Sequence, residues 1–208
     1  LNAVNAFVDA IGVDLNLTNF SRNDILAAAN FINRTIDVAE DLEKRVKAWD
    51  KIPEEAAHWW YRLLKNDNAF KNELWTLAQN SPKKAALMAM NYGQYGDESN
   101  FTEEAIGQLI AESIKRIETN NALAADKSLR GRIINFIKRV ISKFKKESTT
   151  PFDIAAAKIL ASDISDLMTQ EEYAAKLKHE RERKWKAYEA ELKRQMEADL
   201  QRFNKEEE

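Results

Sequence analysis

Residues 52–64 read Ile-Pro-Glu-Glu-Ala-Ala-His-Trp-Trp-Tyr-Arg-Leu-Leu, and this stretch decides the fold that the sequence predicts. Pro53 suits the first turn of a helix, because the N–H that proline lacks would have no helical partner there. Glu54 and Glu55 follow at the positive end of the same helix, where carboxylates are favourable. Two tryptophans and two leucines come next. The segment therefore predicts a helix whose large apolar side chains enter a core.

Helical periodicity continues on both sides of this segment. Further helices are predicted over residues 4–13, 41–49, 70–79, 82–92, 103–119, 128–146 and 152–167, because apolar residues recur there at helical spacing. Ser21 is predicted to cap another helix over residues 21–31, after a turn at residues 16–21. Residues 35–38 are the one convincing strand, because β-branched residues alternate there.

The predicted fold is mainly α. It consists of a compact multi-helix body over residues 1–168, with at most a short edge strand or hairpin, and a long charged amphipathic helix over residues 169–208. Thr169 and Glu172 form a capping-box pattern at the start of that helix.

Composition excludes several classes of protein. The 208 residues include no cysteine, so disulfides, thiol catalysis and cysteine-ligated metals are excluded. Five glycines and three prolines are too few for the many turns of a β-sandwich or barrel. A net charge of −2 argues against a generic nucleic-acid binder, and we expect no sequence-specific nucleic-acid binding. No apolar run approaches the roughly 20 residues of a membrane span.

The segment Glu54-Glu55-Ala56-Ala57-His58 is the motif that indicates chemistry. Zinc peptidases with a His-Glu-x-x-His helix place two histidines one turn apart on a metal, and the intervening glutamate activates water. Here the spacing and the central Glu55 are kept, and Glu54 replaces the first histidine. Glutamate is itself an acceptable, although harder, metal ligand. A later helix that contains Glu103 and Glu104 would supply a third carboxylate.

Beyond this motif, residues 28–38, 52–58 and 103–112 together resemble a metallopeptidase-like domain of the very large polyvalent proteins of bacteriophages and other mobile elements. The basic stretch 132–145, followed by Phe152-Asp153-Ile154-Ala155, resembles the segment that trails such domains, so the resemblance covers roughly residues 25–168. It implies that a short edge strand precedes the motif helix and that an acidic helix completes the site. Carried over position by position, it makes Glu54, His58 and Glu104 metal ligands and Glu55 the catalytic base, with Glu103 as the alternative third ligand.

The replacement of a histidine leaves two functions open. Two carboxylates and one imidazole weaken the Lewis acidity of zinc and favour Mn or Mg relative to a two-histidine site. The first function is therefore a phage-derived, virion-associated structural or interaction protein on a degenerate peptidase-like scaffold, found in the virion or the host cytoplasm. The alternative is an active divalent-metal peptidase. Zinc or another divalent metal is as well supported as no metal, because carboxylates at a helix start need no function.

Two further segments indicate partners. The final helix carries one apolar stripe on an otherwise charged surface, which predicts a protein partner or self-association. Its residues are Trp185, Tyr188, Leu192, Met196, Leu200 and Phe203. Residues 127–146 hold eight Lys or Arg and no acid beside an apolar face. That helix predicts contact with a membrane surface over residues 128–146, or burial of its apolar face in the body.

Overall fold

The computed structural model describes residues 2–21, 25–41, 47, 50–65, 68–90, 97–122 and 149–206. Seven helices and three strands lie in these ranges. The helices are α1 (Asn2–Ala10), α2 (Ile52–Leu63), α3 (Ala69–Gln79), α4 (Pro82–Met90), α5 (Glu98–Ala122), α6 (Pro151–Leu160) and α7 (Gln170–Glu206). The strands are β1 (Asp14–Thr18), β2 (Ala27–Asn30) and β3 (Thr35–Ala39). The predicted mainly α class with a long C-terminal helix is confirmed.

Two compact units make up the chain, Leu1–Leu167 and Met168–Glu208. The first contains the sheet and helices α1 to α6, and the second contains α7. The predicted capping box at the start of α7 is present, because Glu172 accepts a hydrogen bond from the Thr169 N–H at 2.7 Å and donates its own N–H to the Thr169 hydroxyl at 3.2 Å. None of the described helices combines the length and apolar character that a membrane span requires.

The core of the first unit forms around α2 and α5, which make the most extensive contact between helices. Trp59 and Trp60 are both fully buried on α2, on neighbouring faces of the helix. The Trp59 ring packs on Phe31 at 4.8 Å, and its indole N–H donates to the Thr35 carbonyl in β3 at 3.3 Å. The Trp60 ring meets Phe70 of α3 edge-on at 6.2 Å. The adjacent tryptophans thereby attach α2 to the sheet on one side and to α3 on the other.

The sheet has the order β1-β3-β2, with β1 parallel and β2 antiparallel to β3. It is larger than the strand or hairpin that the sequence predicts, and two local predictions are wrong. Residues 16–21 were predicted as a turn, but β1 extends to Thr18. Residues 21–31 were predicted as a helix, but Ala27–Asn30 form β2. The alanines favour a helix locally, and pairing with β3 together with packing on α2 overrides that preference.

Several helix boundaries also differ from the prediction; α1, for example, ends at Ala10 and not at residue 13. Helix α5 begins at Glu98, so Thr102 lies inside it and donates its hydroxyl to the Glu98 carbonyl at 3.4 Å. Helix α6 ends at Leu160, not 167, because Ser162 adopts a left-handed conformation with φ of 52° that the helix cannot continue through. The predicted basic helix over residues 128–146, with its membrane-surface contact, lies outside the described residues.

A capping box starts α6 and ties it to α5. The Asp153 carboxylate accepts hydrogen bonds from the N–H of Thr150 at 2.9 Å and from its hydroxyl at 3.0 Å, and it pairs with Arg116 of α5. Burial alone would raise the pKa of Asp153, but these hydrogen bonds and the Arg116 charge outweigh it and hold the pKa below its ordinary value. The buried carboxylate is therefore stabilised in its charged form.

We predict that Asp153→Asn lowers the free energy of unfolding by about 1–2 kcal/mol at neutral pH, because the charge-assisted hydrogen bonds at the cap are lost. A depressed folded-state pKa contributes stability above the ordinary value of 3.8 and loses it as pH falls through the folded value. The difference between wild type and variant in urea unfolding should therefore shrink below about pH 4. Glu73→Gln, at an exposed position of α3, is the matched control; an equal loss in both variants would contradict the role of Asp153.

Candidate metal centre

Three elements bring the predicted site residues together. Glu54 and His58 lie one turn apart on the same face of α2, and Glu104 lies on α5 opposite them. The two helices run in opposite directions here, since Gln108 contacts Glu54 while Glu104 contacts His58. Strand β2 also packs against α2. Glu54 and His58, which are one helical turn apart, therefore face a carboxylate from a separate helix.

Glu54, His58 and Glu104, which we call the Glu–His–Glu cluster, each offer one ligand atom, and these atoms lie within 4.8 Å of one another. Within the cluster, His58 Nε2 lies 3.5 Å from Glu104 Oε2. Ligand atoms around one ion lie roughly 3–4 Å apart when each is about 2.1 Å from it. Side-chain adjustments of less than about 1 Å would therefore let this donor set, one imidazole and two carboxylates, hold a divalent cation.

Gln108 and Lys51 hold the two carboxylates in place. The Gln108 amide donates to Glu104 Oε1 at 3.0 Å and reaches Glu54 Oε1 at 3.4 Å. Lys51, at the start of α2, donates to Glu54 Oε2 at 2.9 Å. Each carboxylate is therefore oriented by a neighbour that is not itself a ligand, as is common around metal ligands.

Gly107 makes room for the imidazole. A Cβ atom at this position would lie 2.4 Å from Cε1 and 2.6 Å from Nε2 of His58, closer than non-bonded carbon and nitrogen atoms approach. The backbone of α5 thus passes directly against the His58 ring, and any other residue at 107 would displace that ring. A glycine inside a helix costs stability, so its presence here has a packing reason.

The charges of the cluster are coupled. Burial alone would lower the pKa of His58, but Glu104, Glu55 and Glu54 surround the ring and hold the pKa above its ordinary value. Burial would likewise raise the pKa of Glu104, yet its hydrogen bond and charge interaction with His58 keep that pKa well below its usual range. The surrounding carboxylates therefore favour the protonated, positively charged form of His58.

Glu55, the predicted base, lies beside the cluster and outside it. Its side chain is buried, and its Oε2 accepts the Ala29 N–H of β2 at 2.7 Å. Burial raises the pKa of Glu55 to about 7, and the charge of Glu54 adds to the increase against the opposing effect of His58. A carboxylate whose pKa lies near neutrality is suited to exchange protons with a substrate or water.

A cleft of about 470 Å³ opens over these residues between β2, α2 and the start of α5. Its wall on the β2 side includes Ala27 and Ala29. Because Ala39 of β3 donates its N–H to the Leu26 carbonyl, alternation along the antiparallel pair directs the backbone N–H and C=O groups of Ala27 and Ala29 away from β3. Within the described residues no strand pairs with this outer edge of β2, and the edge borders the cleft that contains His58 and Glu104.

The alternative third ligand, Glu103, lies in the same cleft but outside the cluster. It forms an ion pair with Arg62 at 3.0 Å, and the Arg62 guanidinium also stacks over the Phe31 ring at 4.3 Å. Glu103 and Glu104 are adjacent on α5 and therefore diverge around the helix. The structure brings Glu104, and not Glu103, to the histidine.

Sequence reasoning missed four residues around the site: Ala29, Arg62, Gly107 and Gln108. Two of them carried a signal. Gln108 follows Glu104 by one helical turn, which places its amide beside that carboxylate. Gly107 interrupts an otherwise good helix-forming stretch, which indicates close approach of another element. Nothing in the sequence pointed to Ala29, because β2 was predicted as a helix.

The predicted partner-binding residues lie on α7, in the second unit. Trp185, Tyr188, Leu192 and Met196 are all exposed there. Helix α7 continues past Leu200 and Phe203, whose side chains lie outside the described part of the chain.

Comparisons of the chain with models of protein families, with curated proteins and with solved structures found no match. A function can therefore be inferred only from the residues of the site.

We predict that Gly107→Ala destabilises the protein by about 1–3 kcal/mol, because the new methyl group overlaps the His58 ring. A loss of stability is the informative result, because a glycine-to-alanine change inside a helix otherwise raises the free energy of unfolding by up to about 1 kcal/mol. Urea unfolding measures the effect. In a His58→Ala background the overlap is removed, so the same Gly107→Ala change should become neutral or stabilising. An equal cost in both backgrounds would contradict the contact.

Proposed function

We propose that the chain is a divalent-metal-dependent peptidase in which Glu54, His58 and Glu104 hold the cation and Glu55 is the general base. The observation that carries this proposal is the convergence of the Glu–His–Glu cluster beside Glu55, with ligand atoms within 4.8 Å of one another. Fold resemblance alone would not support an activity, because unrelated functions share scaffolds.

Charge balance supports a bound cation. Glu54 and Glu55 are buried, and Glu104 is largely buried, so three carboxylates share one small region. Uncompensated buried carboxylates are costly. Lys51 and a protonated His58 offset part of this negative charge. A divalent cation would neutralise Glu54 and Glu104 and would leave the imidazole neutral, in the form that binds metals.

Glu55 has the position that the reaction requires. Its Oε2 is fixed by the Ala29 N–H, which leaves Oε1 to accept a proton from an attacking water. The same carboxyl group then delivers that proton to the leaving amide nitrogen, so the base is regenerated as the peptide bond breaks. The cation, when bound, would supply Lewis acidity that polarises the scissile carbonyl.

The open edge of β2 favours a peptide as the substrate. Extended peptides add to exposed sheet edges through main-chain hydrogen bonds. Ala27 presents its N–H and C=O along the cleft wall, and Ala29 presents its C=O, because the Ala29 N–H already donates to Glu55. A chain bound there would pass over Glu55, which lies against Ala29, and beside the Glu–His–Glu cluster. The backbone contacts would be indifferent to side chains, so an unstructured protein is a suitable first substrate.

The test is a titration of chelator-treated protein with Zn²⁺ and with Mn²⁺ by calorimetry. We expect one site per chain, and we expect His58→Ala and Glu104→Gln each to weaken binding by roughly 100-fold or more, since each removes a ligand. Glu103→Gln is the matched control, because it removes a neighbouring carboxylate on the same helix and should change affinity by less than about threefold. Wild-type protein that binds neither ion would contradict the proposal.

Hydrolysis separates a catalytic site from a structural one. Glu55→Gln should retain cation binding and lose at least about 100-fold of the rate at which the loaded protein cleaves casein, because the proton acceptor is gone. Cation binding without cleavage of any unstructured protein by the wild type would contradict the peptidase and leave a structural cation site.

A structural or interaction function is the second candidate, and the exposed apolar residues of α7 favour it. It requires neither a cation nor hydrolysis, so cleavage by the cation-loaded protein distinguishes the peptidase from it. The setting in a bacteriophage virion stays a prediction from the sequence.

A further inference from the structure

Helix α7 carries an exposed apolar stripe. Trp185, Tyr188, Leu192 and Met196 lie on one face, because they follow one another at spacings of three and four residues. Their exposed fractions are 61%, 60%, 44% and 65%. The rings of Trp185 and Tyr188 are already in contact, with centroids 5.9 Å apart. A continuous apolar surface of this kind on a charged helix marks an interaction site.

The spacing of the stripe is symmetric. In the sequence it continues to Leu200 and Phe203, so successive steps are three, four, four, four and three residues, and the midpoint is Arg194. Arg194 is nine residues from Trp185, or two and a half turns, and so lies on the opposite face of the helix. When two copies align antiparallel about that midpoint, every stripe residue meets another stripe residue. The pairs are Trp185 with Phe203, Tyr188 with Leu200, and Leu192 with Met196.

Charge decides between the two directions of pairing. Residues 176–186 contain six Lys or Arg and two Glu, a net charge of +4, whereas residues 197–208 contain five acids and two bases, a net charge of −3. A parallel pair would place each charged end beside its own copy. An antiparallel pair centred on Arg194 instead places residues 197–208 of one helix beside residues 180–191 of the other, which contain four Lys or Arg and four Glu, so neither charged end lies beside its own copy.

We propose that α7 binds α7 of a second copy of this chain as an antiparallel pair centred on Arg194, through the stripe that begins at Trp185. The interface is isologous, since the same surface serves both copies and closes on itself. The pair develops the interaction function suggested for α7 and does not depend on a cation in the cleft. It buries the tryptophan and tyrosine, which are the residue types that contribute most at interfaces.

The first test is the oligomeric state by sedimentation equilibrium. Wild-type protein should be a dimer at roughly 100 µM, and Leu192→Glu should raise the dissociation constant by at least about 10-fold, because a charge enters the centre of the stripe. Ala187→Glu is the matched control, since it adds the same charge on the opposite face of α7 and should leave the dimer intact. A wild-type monomer at that concentration overturns the proposal, whether or not the cleft binds a cation.

The second test is the direction of pairing, for which the absence of native cysteine is useful. An equimolar mixture of Tyr188→Cys and Leu200→Cys should form a disulfide between the two variants under mild oxidation, because these positions face each other only in the antiparallel pair. Neither variant alone should cross-link efficiently. Efficient cross-linking of Tyr188→Cys with itself indicates parallel helices and overturns the antiparallel assignment.

Discussion

The close approach of α5 to the His58 ring is the constraint on which the rest of the first unit depends. Gly107 permits that approach. On the same helix, Glu104 then lies 3.5 Å from the imidazole, and Gln108 lies between the carboxylates of Glu54 and Glu104. With α5 at this distance from α2, isoleucines of α5 are buried and the most extensive helix–helix contact among the described residues forms. Packing and site geometry therefore share one cause, and the packing cannot be altered here without moving a ligand.

A second constraint is the concentration of negative charge that this packing buries. The carboxylates raise the pKa of His58 and, through burial and Glu54, that of Glu55. Strand β2 also affects the charge of Glu55, because the outward Ala29 N–H donates to this carboxylate and opposes the increase of its pKa. The sheet edge that borders the cleft is thus also the element that fixes the proposed base. This explains why a strand of four residues, Ala-Ala-Ala-Asn, is kept extended against its helix preference.

The parts of the fold that could be predicted from the sequence are those set by local pattern. Helix α2, the capping box at Thr169 and the spacing of Glu54 and His58 follow from residues within one or two turns. Strand β2 could not be predicted, because its extended form depends on pairing with β3 and on the contact of Ala29 with Glu55, 26 residues further along the chain. Strand β1 did carry a local signal, the alternation Asp-Leu-Asn-Leu-Thr, but its two leucines are too few to outweigh a turn. The choice of Glu104 over Glu103 needed the rotation of α5, which depends on the contact at Gly107.

The glutamate at position 54 fits its surroundings as a carboxylate. Its Oε2 receives Lys51 and its Oε1 faces Gln108, two donors that a histidine's ring nitrogens could not both accept. A histidine here would also place a second imidazole beside the Lys51 ammonium, and that positive charge would disfavour the protonated form of the new histidine. The Gln108 amide would then have Glu104 as its one carboxylate partner. The neighbours of Glu54 are therefore matched to a negative ligand. A carboxylate at this position is also what the proposed site requires, because hard divalent cations prefer oxygen ligands.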